Sequence, residues 1–113
     1  MVTTAPDRGD IISIQLNPQM GREQAGRRPA LVLSPRLYNA KVGLTIVCPI
    51  TKQVKGFPFE VSLPLTAKTQ GVVLSDHVKS VDWRTREARF IERVSAPLLN
   101  EVLVKLGLLI GEH

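Results

Sequence analysis

The stretch GREQAGRRPALVL, residues 21–33, joins a polar loop to an apolar run. The apolar run predicts a strand over residues 29–34 that begins at a proline, a position where strands tolerate this residue. Before the loop, residues 11–16 have the sequence IISIQL, and the alternation from the second residue onward is that of a half-buried strand. The connecting loop, residues 17–28, exceeds the usual hairpin length, and such loops in small domains tend to be functional or mobile.

Short apolar segments continue toward the C-terminus, each bounded by Gly, Pro or polar turn residues. Ser34-Pro35 predicts a short helical turn through Ala40, with the proline at the first helical position. Five further strands are expected, over residues 44–50, 57–63, 71–74, 79–83 and 88–94. Because no long helix separates these strands, the pattern favours a small antiparallel β-barrel over repeated strand–helix–strand units.

The apolar residues adopt a helical spacing near the end of the chain. Ser95 is placed to cap a helix with Pro97 in its first turn. One helix face is formed by Leu98, Leu99, Val102, Leu103 and Leu106. Val104 and Leu108 make the apolar band wider than one buried face requires, so we expect a second protein surface to cover it. Association into a homodimer is the simplest source of that surface.

Composition indicates one soluble globular domain spanning residues 1–113. Hydrophobic residues make up 43% of the chain and charged residues 22%, and 8 Gly with 8 Pro indicate turns rather than disorder. Residues 1–10 are polar and lack the apolar core of a signal peptide, and no apolar run is long enough to cross a membrane. We therefore expect a cytoplasmic protein.

Soft metal ligands are scarce in this sequence. One cysteine, Cys48, excludes an internal disulfide, and with only His77 and His113 the chain has too few ligands for a zinc site. Cys48 alternates with Leu44 and Ile46 in an apolar segment, so we expect a buried structural thiol. We predict no cofactor and a catalytic mechanism without a metal ion.

The net charge of +5 is unevenly distributed along the chain. Residues 1–55 contain eight Lys or Arg and three Asp or Glu, whereas residues 56–113 contain seven of each kind. The excess in the first half favours an anionic partner, with nucleic acid the leading candidate. The alternative is that a modest positive charge serves only solubility.

Three side chains can supply ribonuclease chemistry if the partner is RNA. The ribose 2′-hydroxyl can attack the adjacent phosphorus when a base takes its proton, a cation stabilises the developing charge and an acid protonates the leaving oxygen. Glu23 can act as the base, Arg28 as a bidentate phosphoryl clamp that also donates a proton, and Thr51 as a hydroxyl donor. Alternatively, Glu23 pairs with a neighbouring arginine in solvent, and Thr51 is an ordinary hydroxyl at a strand end.

Several segments resemble the MazF/PemK toxin family, and the resemblance is closest to the MazF branch. The segments are GDII at 9–12, EQAGRRPALVLSP at 23–35, CPIT at 48–51, KGFPFEV at 55–61 and GVVLSDHVKSVDWR at 71–84. They follow the family's order and spacing over nearly the whole chain.

This resemblance implies a toxin of a type II toxin–antitoxin system, a metal-independent and sequence-specific endoribonuclease that cleaves single-stranded RNA, chiefly mRNA. Such cleavage inhibits translation and arrests growth. The resemblance also implies an SH3-like barrel with a C-terminal helix, a homodimer with RNA along its interface, and a cognate antitoxin with an acidic disordered segment. The family's catalytic arginine, threonine and glutamate match Arg28, Thr51 and Glu23.

RNA contacts are predicted for polar and basic residues near these positions, namely Gln24, Arg27, Lys52, Lys55, His77 and Lys79. Arg27 and His77 depart from the family pattern, which has histidine and glutamine there. His77 changes the donors and acceptors offered to an RNA base, and its alternative roles are a general acid or an ordinary surface histidine. The lysines are expected to contact phosphate, which positions RNA without reading its sequence.

Two other functions stay open at this point. A toxin of the same fold could act by protein contact on DNA gyrase, and such a protein would not need the pair Arg28 and Thr51. A noncatalytic nucleic-acid-binding module would bind RNA with salt-dependent affinity and leave it intact.

Overall fold

Seven antiparallel strands carry the fold in the described part of the chain, residues 4–15 and 26–111 of the computed structural model. The strands are β1 (Asp10–Gln15), β2 (Arg27–Val32), β3 (Leu44–Thr51), β4 (Glu60–Ser62), β5 (Val72–Leu74), β6 (Lys79–Asp82) and β7 (Arg89–Arg93). The helices are α1 (Arg36–Val42), which connects β2 to β3, and α2 (Ala96–Ile110), which follows β7.

The strands pair in the order β4-β5-β3-β2-β1-β7, and β6 pairs with β3 outside this path. Strand β3 joins the two parts of the sheet, because residues 44–47 pair with β6 and residues 50–51 pair with β5. Within the described residues, the terminal strands β4 and β7 do not pair with each other. The prediction of a mainly β fold with a C-terminal helix is confirmed, whereas the predicted closure into a barrel is not.

The core lies on both faces of the sheet. On one face, Ile11 and Leu31 belong to the same buried cluster as Val102 and Leu106 of α2. On the other face the buried side chains are Ile12, Ile14, Ala30, Val32, Val47 and Val81. Strand β1 pairs with both β2 and β7, and its polar residue Gln15 is only 3% exposed. The expected half-buried strand is therefore buried along most of its length.

Cys48 is fully buried in the first of these clusters, as predicted. Burial, with a smaller contribution from the negative charge of Asp76, raises the pKa of the Cys48 thiol to about 11. The thiol is therefore protonated at neutral pH, which agrees with a structural role.

Three prolines lie where the predicted element bounds were wrong. Strand β2 covers residues 27–32 rather than 29–34, so Pro29 is its third residue and not its first. Strand β4 covers residues 60–62 rather than 57–63, because Pro58 lies in a turn in which Glu60 N–H donates to the Phe57 carbonyl at 3.1 Å. Proline has no N–H for the strand ladder, so pairing starts after it. Similarly, Pro35 is the extended N-cap residue of α1 and not its first helical residue, with φ −73° and ψ 154°.

Helix α2 begins and packs as its sequence predicts. The Ser95 hydroxyl accepts a hydrogen bond from Leu98 N–H at 3.3 Å, which caps the helix. Val102 and Leu106 are buried, while Val104, Leu108 and Ile110 are 53%, 62% and 70% exposed. The apolar band is thus only partly covered within one chain. In the described residues, no helix has both the length and the apolar content required to span a membrane.

Candidate active site and nucleic-acid interface

An open cavity of about 840 Å³ lies where the start of β2 meets the end of β3. Among the described residues, five cationic side chains line it: Arg27, Arg28, Lys52, Lys68 and Lys79. No Asp or Glu is present among the described residues that line the cavity. Clustered cations without nearby carboxylates repel one another, and an anionic ligand relieves that repulsion. The cavity is therefore suited to a polyanion.

Strand register brings Arg28 and Thr51 to this cavity. The pairing of β2 with β3 ends at Ala30 opposite Pro49, so the residues just before Ala30 and just after Pro49 lie at the same end of the two antiparallel strands. Both residues line the cavity, so side chains separated by more than twenty positions in sequence share one site.

The two side chains are presented in different ways. Arg28 is exposed, and its Nη1 donates to the Arg27 carbonyl at 3.0 Å, which leaves further guanidinium donors for a ligand. Thr51 is half-buried, and its hydroxyl oxygen accepts a hydrogen bond from Gln53 N–H at 3.1 Å. Because that bond uses a lone pair of the oxygen, the hydroxyl hydrogen can be donated to a ligand.

Gly71 allows the backbone to approach Thr51 closely, and the sequence analysis did not identify it. Its φ is +114°, and a Cβ added there would lie 2.0 Å from the Thr51 carbonyl oxygen. Leu63 N–H also donates to the Gly71 carbonyl, at 3.0 Å. Only glycine satisfies both the backbone conformation and the contact. The signal in the sequence is a glycine at the start of a short apolar segment, which by itself predicts only a turn.

Lys68 is a second residue that the sequence analysis missed. Its segment is held by the Glu92 carboxylate, which accepts hydrogen bonds from Thr69 N–H at 2.8 Å and Lys68 N–H at 3.2 Å. Although partial burial would raise the pKa of Glu92, these backbone donors hold it below its ordinary value. The Glu92 carboxylate on β7 therefore holds the loop from which Lys68 lines the cavity.

Arg27 reaches across the sheet from the start of β2. Its Nε donates to the Ser13 hydroxyl and its Nη2 donates to the Ser13 carbonyl, each at 2.8 Å. Nη2 also donates to the Glu87 carbonyl in the turn before β7. Arg27 lines the cavity, but these donors are directed to protein oxygens.

The remaining predicted site residues lie in other places. Lys52 and Lys79 line the cavity, whereas Lys55 and His77 lie outside its lining. Lys55 N–H donates to the Glu60 carboxylate, and His77 Nε2 lies 3.7 Å from Asp76 Oδ1. Glu23 and Gln24 fall outside the described residues. Within residues 4–15 and 26–111, no group of three or more His, Cys, Asp or Glu side chains is arranged to hold a metal ion.

Comparisons with known proteins give consistent results over almost the whole chain. The family model for PemK-like, MazF-like toxins of type II toxin–antitoxin systems matches residues 7–110. The endoribonuclease toxin MazF of Escherichia coli K12 is 46% identical over 106 residues, an alignment covering 94% of this chain and 95% of that protein.

Solved structures show the same relationship. A crystal structure of MazF from Deinococcus radiodurans matches with a TM-score of 0.87 at 49% identity, covering 97% of this chain and 100% of that one. A chain of a MazE–MazF complex from the same organism matches with a TM-score of 0.88 at 44% identity, covering 98% of this chain and 100% of that one. Because the family match and these relatives span nearly the full length, the family predicted from the sequence is confirmed, and the chain belongs to the PemK-like, MazF-like toxins of type II toxin–antitoxin systems.

Proposed function

We propose that this protein is an endoribonuclease toxin that cleaves single-stranded RNA in the cationic cavity. The observation that carries this proposal is that Arg28 and Thr51 line one open cavity together with three lysines. Family membership supports it, because the E. coli relative is named an endoribonuclease toxin. The predicted alternatives, contact with DNA gyrase and RNA binding without cleavage, do not account for the pairing of a guanidinium with a free hydroxyl donor.

The proposed reaction is an internal transesterification of RNA. The 2′-oxygen forms a bond to the adjacent phosphorus while the bond from phosphorus to the 5′-oxygen breaks, giving a 2′,3′-cyclic phosphate and a 5′-hydroxyl. A base takes the 2′-proton and an acid supplies the proton to the leaving oxygen. RNA carries its own nucleophile for this reaction, so DNA of the same sequence is not cleaved.

The roles follow from donor chemistry. Arg28 offers a guanidinium fork that binds two phosphoryl oxygens and stabilises the charge that develops on them. Thr51 donates its hydroxyl hydrogen to a nonbridging oxygen, since its oxygen already accepts from Gln53. Glu23 is proposed as the base on the family pattern. Arg28 is also the proposed proton donor to the leaving group.

The lysines of the cavity are proposed as phosphate contacts on either side of the cleaved bond. Lys52, Lys68 and Lys79 are exposed and line the cavity. Each phosphate neutralised releases counterions, so affinity for RNA falls as salt rises. The contacts through Gln24, Lys55 and His77 stay predictions for RNA bases or phosphates.

Two protein partners are proposed. The first is a second copy of this chain, which would cover the exposed apolar face of α2. The second is a cognate antitoxin, as in the MazE–MazF complex of the Deinococcus relative. An acidic disordered segment of that antitoxin would bind the cationic cavity and compete with RNA. We also propose that residues 1–113 form a single domain and that the protein acts in the cytoplasm.

Cleavage of a single-stranded RNA by the purified protein in EDTA tests the proposal. Arg28→Ala is expected to abolish cleavage with the fold intact by circular dichroism. Arg84→Ala is the matched control, because Arg84 is exposed and packs over the Trp83 ring at 4.8 Å, outside the cavity. Equal cleavage by Arg28→Ala and wild type would overturn the assignment. Sequencing the 5′ ends of the products identifies the cleavage motif in the same experiment.

A further inference from the structure

The guanidinium of Arg27 connects three segments of the fold. Its Nε and Nη2 donate to the hydroxyl and carbonyl of Ser13 on β1, each at 2.8 Å, and Nη2 also donates to the Glu87 carbonyl before β7. These partners lie 14 and 60 residues away in sequence. The Arg27 side chain therefore links the start of β2 to β1 and to the turn before β7.

Ser13 lies in the middle of three strands, opposite Pro29 on β2 and Arg89 on β7. Proline has no N–H, so Pro29 offers the Ser13 carbonyl no donor. The Arg27 side chain donates to that carbonyl and thereby adds a contact between β2 and β1 beyond the backbone ladder.

Glu87, whose carbonyl also accepts from Arg27, lies in the turn before β7. It is the non-glycine residue with a positive φ, 50°, in the described residues, a conformation that is strained for a side chain with a Cβ. Its carbonyl accepts from Arg27 Nη2, and the neighbouring Arg86 Nη1 donates to the Gln15 carbonyl at 3.0 Å. Arg27 and Arg86 thus both hold this turn close to the end of β1.

Arg28 depends on the position of Arg27. Arg28 Nη1 donates to the Arg27 carbonyl at 3.0 Å, so the peptide that carries the Arg27 side chain also orients the Arg28 guanidinium. Fixing Arg27 to β1 and to the turn before β7 fixes the acceptor of that bond. The guanidinium of Arg28 is then held at the cavity that Thr51 also lines.

A phosphate contact requires different geometry. A guanidinium binds phosphate bidentately with two neighbouring donors directed at the ligand. In Arg27, Nε and Nη2 are already directed to protein oxygens, and Nη1 is buried from solvent. Arg28 differs in that its side chain is exposed.

We infer that Arg27 is a positioning residue for the proposed cleavage: by bonding to Ser13 and Glu87 it holds Arg28 toward Thr51, and it does not bind phosphate itself. This inference rests on the proposed function. It revises the role predicted from the sequence, which placed Arg27 among the RNA contacts.

The test separates the rate of cleavage from the binding of RNA. The full-length protein and its variants are given a single-stranded RNA at saturating protein concentration, and the single-turnover rate is measured. Affinity is measured for the same RNA with a 2′-deoxy nucleotide at the cleaved position, at several salt concentrations. Arg27→Lys keeps the positive charge but lacks the paired guanidinium donors, and Arg27→Gln lacks both. Ser13→Ala removes only the hydroxyl that accepts from Arg27 Nε. Lys52→Ala is the reference for a phosphate contact.

Arg27→Lys is expected to slow the saturated rate by about tenfold or more, since small misplacement of a catalytic group is costly. Ser13→Ala should slow it by a smaller factor in the same direction, with a melting temperature close to that of the wild type. Arg27→Gln should leave the slope of log Kd against log salt concentration unchanged. Lys52→Ala should reduce the magnitude of that slope by about 0.7, the value for one phosphate on a single strand.

The inference is overturned if Arg27→Gln reduces the slope by as much as Lys52→Ala does, because Arg27 would then be a phosphate contact. It is also overturned if Arg27→Lys and Ser13→Ala cleave at the wild-type rate when saturated. If the wild-type protein does not cleave RNA at all, the proposed function fails and this inference fails with it. Cleavage by wild type with unchanged rates in both variants sinks only the inference.

Discussion

The cationic cavity and the outer face of α2 expose opposite kinds of surface. The cavity gathers five cations without a described carboxylate among them, whereas α2 leaves Val104, Leu108 and Ile110 exposed. Folding alone favours neither arrangement, because like charges repel and exposed apolar area is not removed from water. The difference agrees with the two kinds of partner proposed above. A polyanion fits the cavity, and another apolar protein surface fits the helix.

The largest expected effect comes from removing the hydroxyl at the cavity. Thr51→Ala should lower the single-turnover rate of RNA cleavage by about 100-fold or more, because a donor to the developing charge is lost. Thr51→Ser should retain most of the rate. The oligomeric state should be unchanged in both, since α2 is untouched. A control is Thr66→Ala, an exposed threonine outside the cavity lining. Wild-type rates in Thr51→Ala would refute its role.

Two glycines differ in how closely other atoms approach them, and one of them lies against the cavity residue Thr51. Gly56 and Gly71 both have positive φ, 79° and 114°, but an added Cβ meets nothing within 4 Å at Gly56 and lies 2.0 Å from the Thr51 carbonyl at Gly71. Gly56→Ala should cost about 1 kcal/mol of unfolding free energy from backbone strain. Gly71→Ala should cost roughly 3 kcal/mol or more, because backbone must also move.

Urea denaturation measures both variants of this pair. The rate of RNA cleavage by the fraction that stays folded gives a second readout. Gly71→Ala should slow it by displacing Thr51, whereas Gly56→Ala should not. Equal stability and equal rates in the two variants would contradict the close approach.

The apolar face of α2 is tested by placing a charge on it. Leu108→Asp should weaken self-association by about 100-fold or more, because a carboxylate would have to be buried in the interface. The monomer should stay folded, since Leu108 is 62% exposed in the chain alone. Leu37→Asp on α1 is the matched control, with an even more exposed leucine. Light scattering across a concentration series reports the mass, and an unchanged mass in Leu108→Asp would show that this face does not mediate association.

The smallest effect concerns the loop that carries Lys68. The pKa of Glu92 is below its ordinary value of 4.5, since the Thr69 and Lys68 N–H donors outweigh the effect of burial. A carboxylate with a lowered folded pKa stabilises the fold above its unfolded pKa, and this stabilisation is lost as pH falls through the folded pKa. Melting temperature should therefore fall less between about pH 7 and about pH 3 in Glu92→Gln than in wild type. Glu101→Gln on α2 is the control, and identical pH profiles for wild type and Glu92→Gln would exclude the effect.

Much of the strand pattern was predictable because alternation and turn residues are local signals. The predicted segments 11–16, 44–50 and 88–94 overlap β1, β3 and β7, and the Ser95 cap of α2 is confirmed. The wrong bounds of β2, β4 and α1 each involve a proline. Pro58 and Pro35 act through missing hydrogen bonds, and whether a strand or helix starts before or after them depends on which neighbours are available.

The candidate site was predictable only in part. Family motifs identified Arg28 and Thr51, but no local pattern distinguishes the exposed Arg28 from Arg27, whose guanidinium is bonded to Ser13. Gly71 and Lys68 were missed because their contribution depends on the approach of distant backbone. The roles of Glu23 as the base and of Gln24 as an RNA contact stay predictions.

The sequence by itself determined which residues are apolar, where strands and the long helix occur, and that positive charge is concentrated in the first half of the chain. Those properties follow from side-chain chemistry and from periods of two and about 3.6 residues, which are local. Only the folded chain brings Arg28 and Thr51 to one cavity, directs the Arg27 side chain to Ser13 and Glu87, and sets Gly71 against Thr51. These depend on strand register and chain crossing, because alternation specifies the buried face of a strand but not its partner.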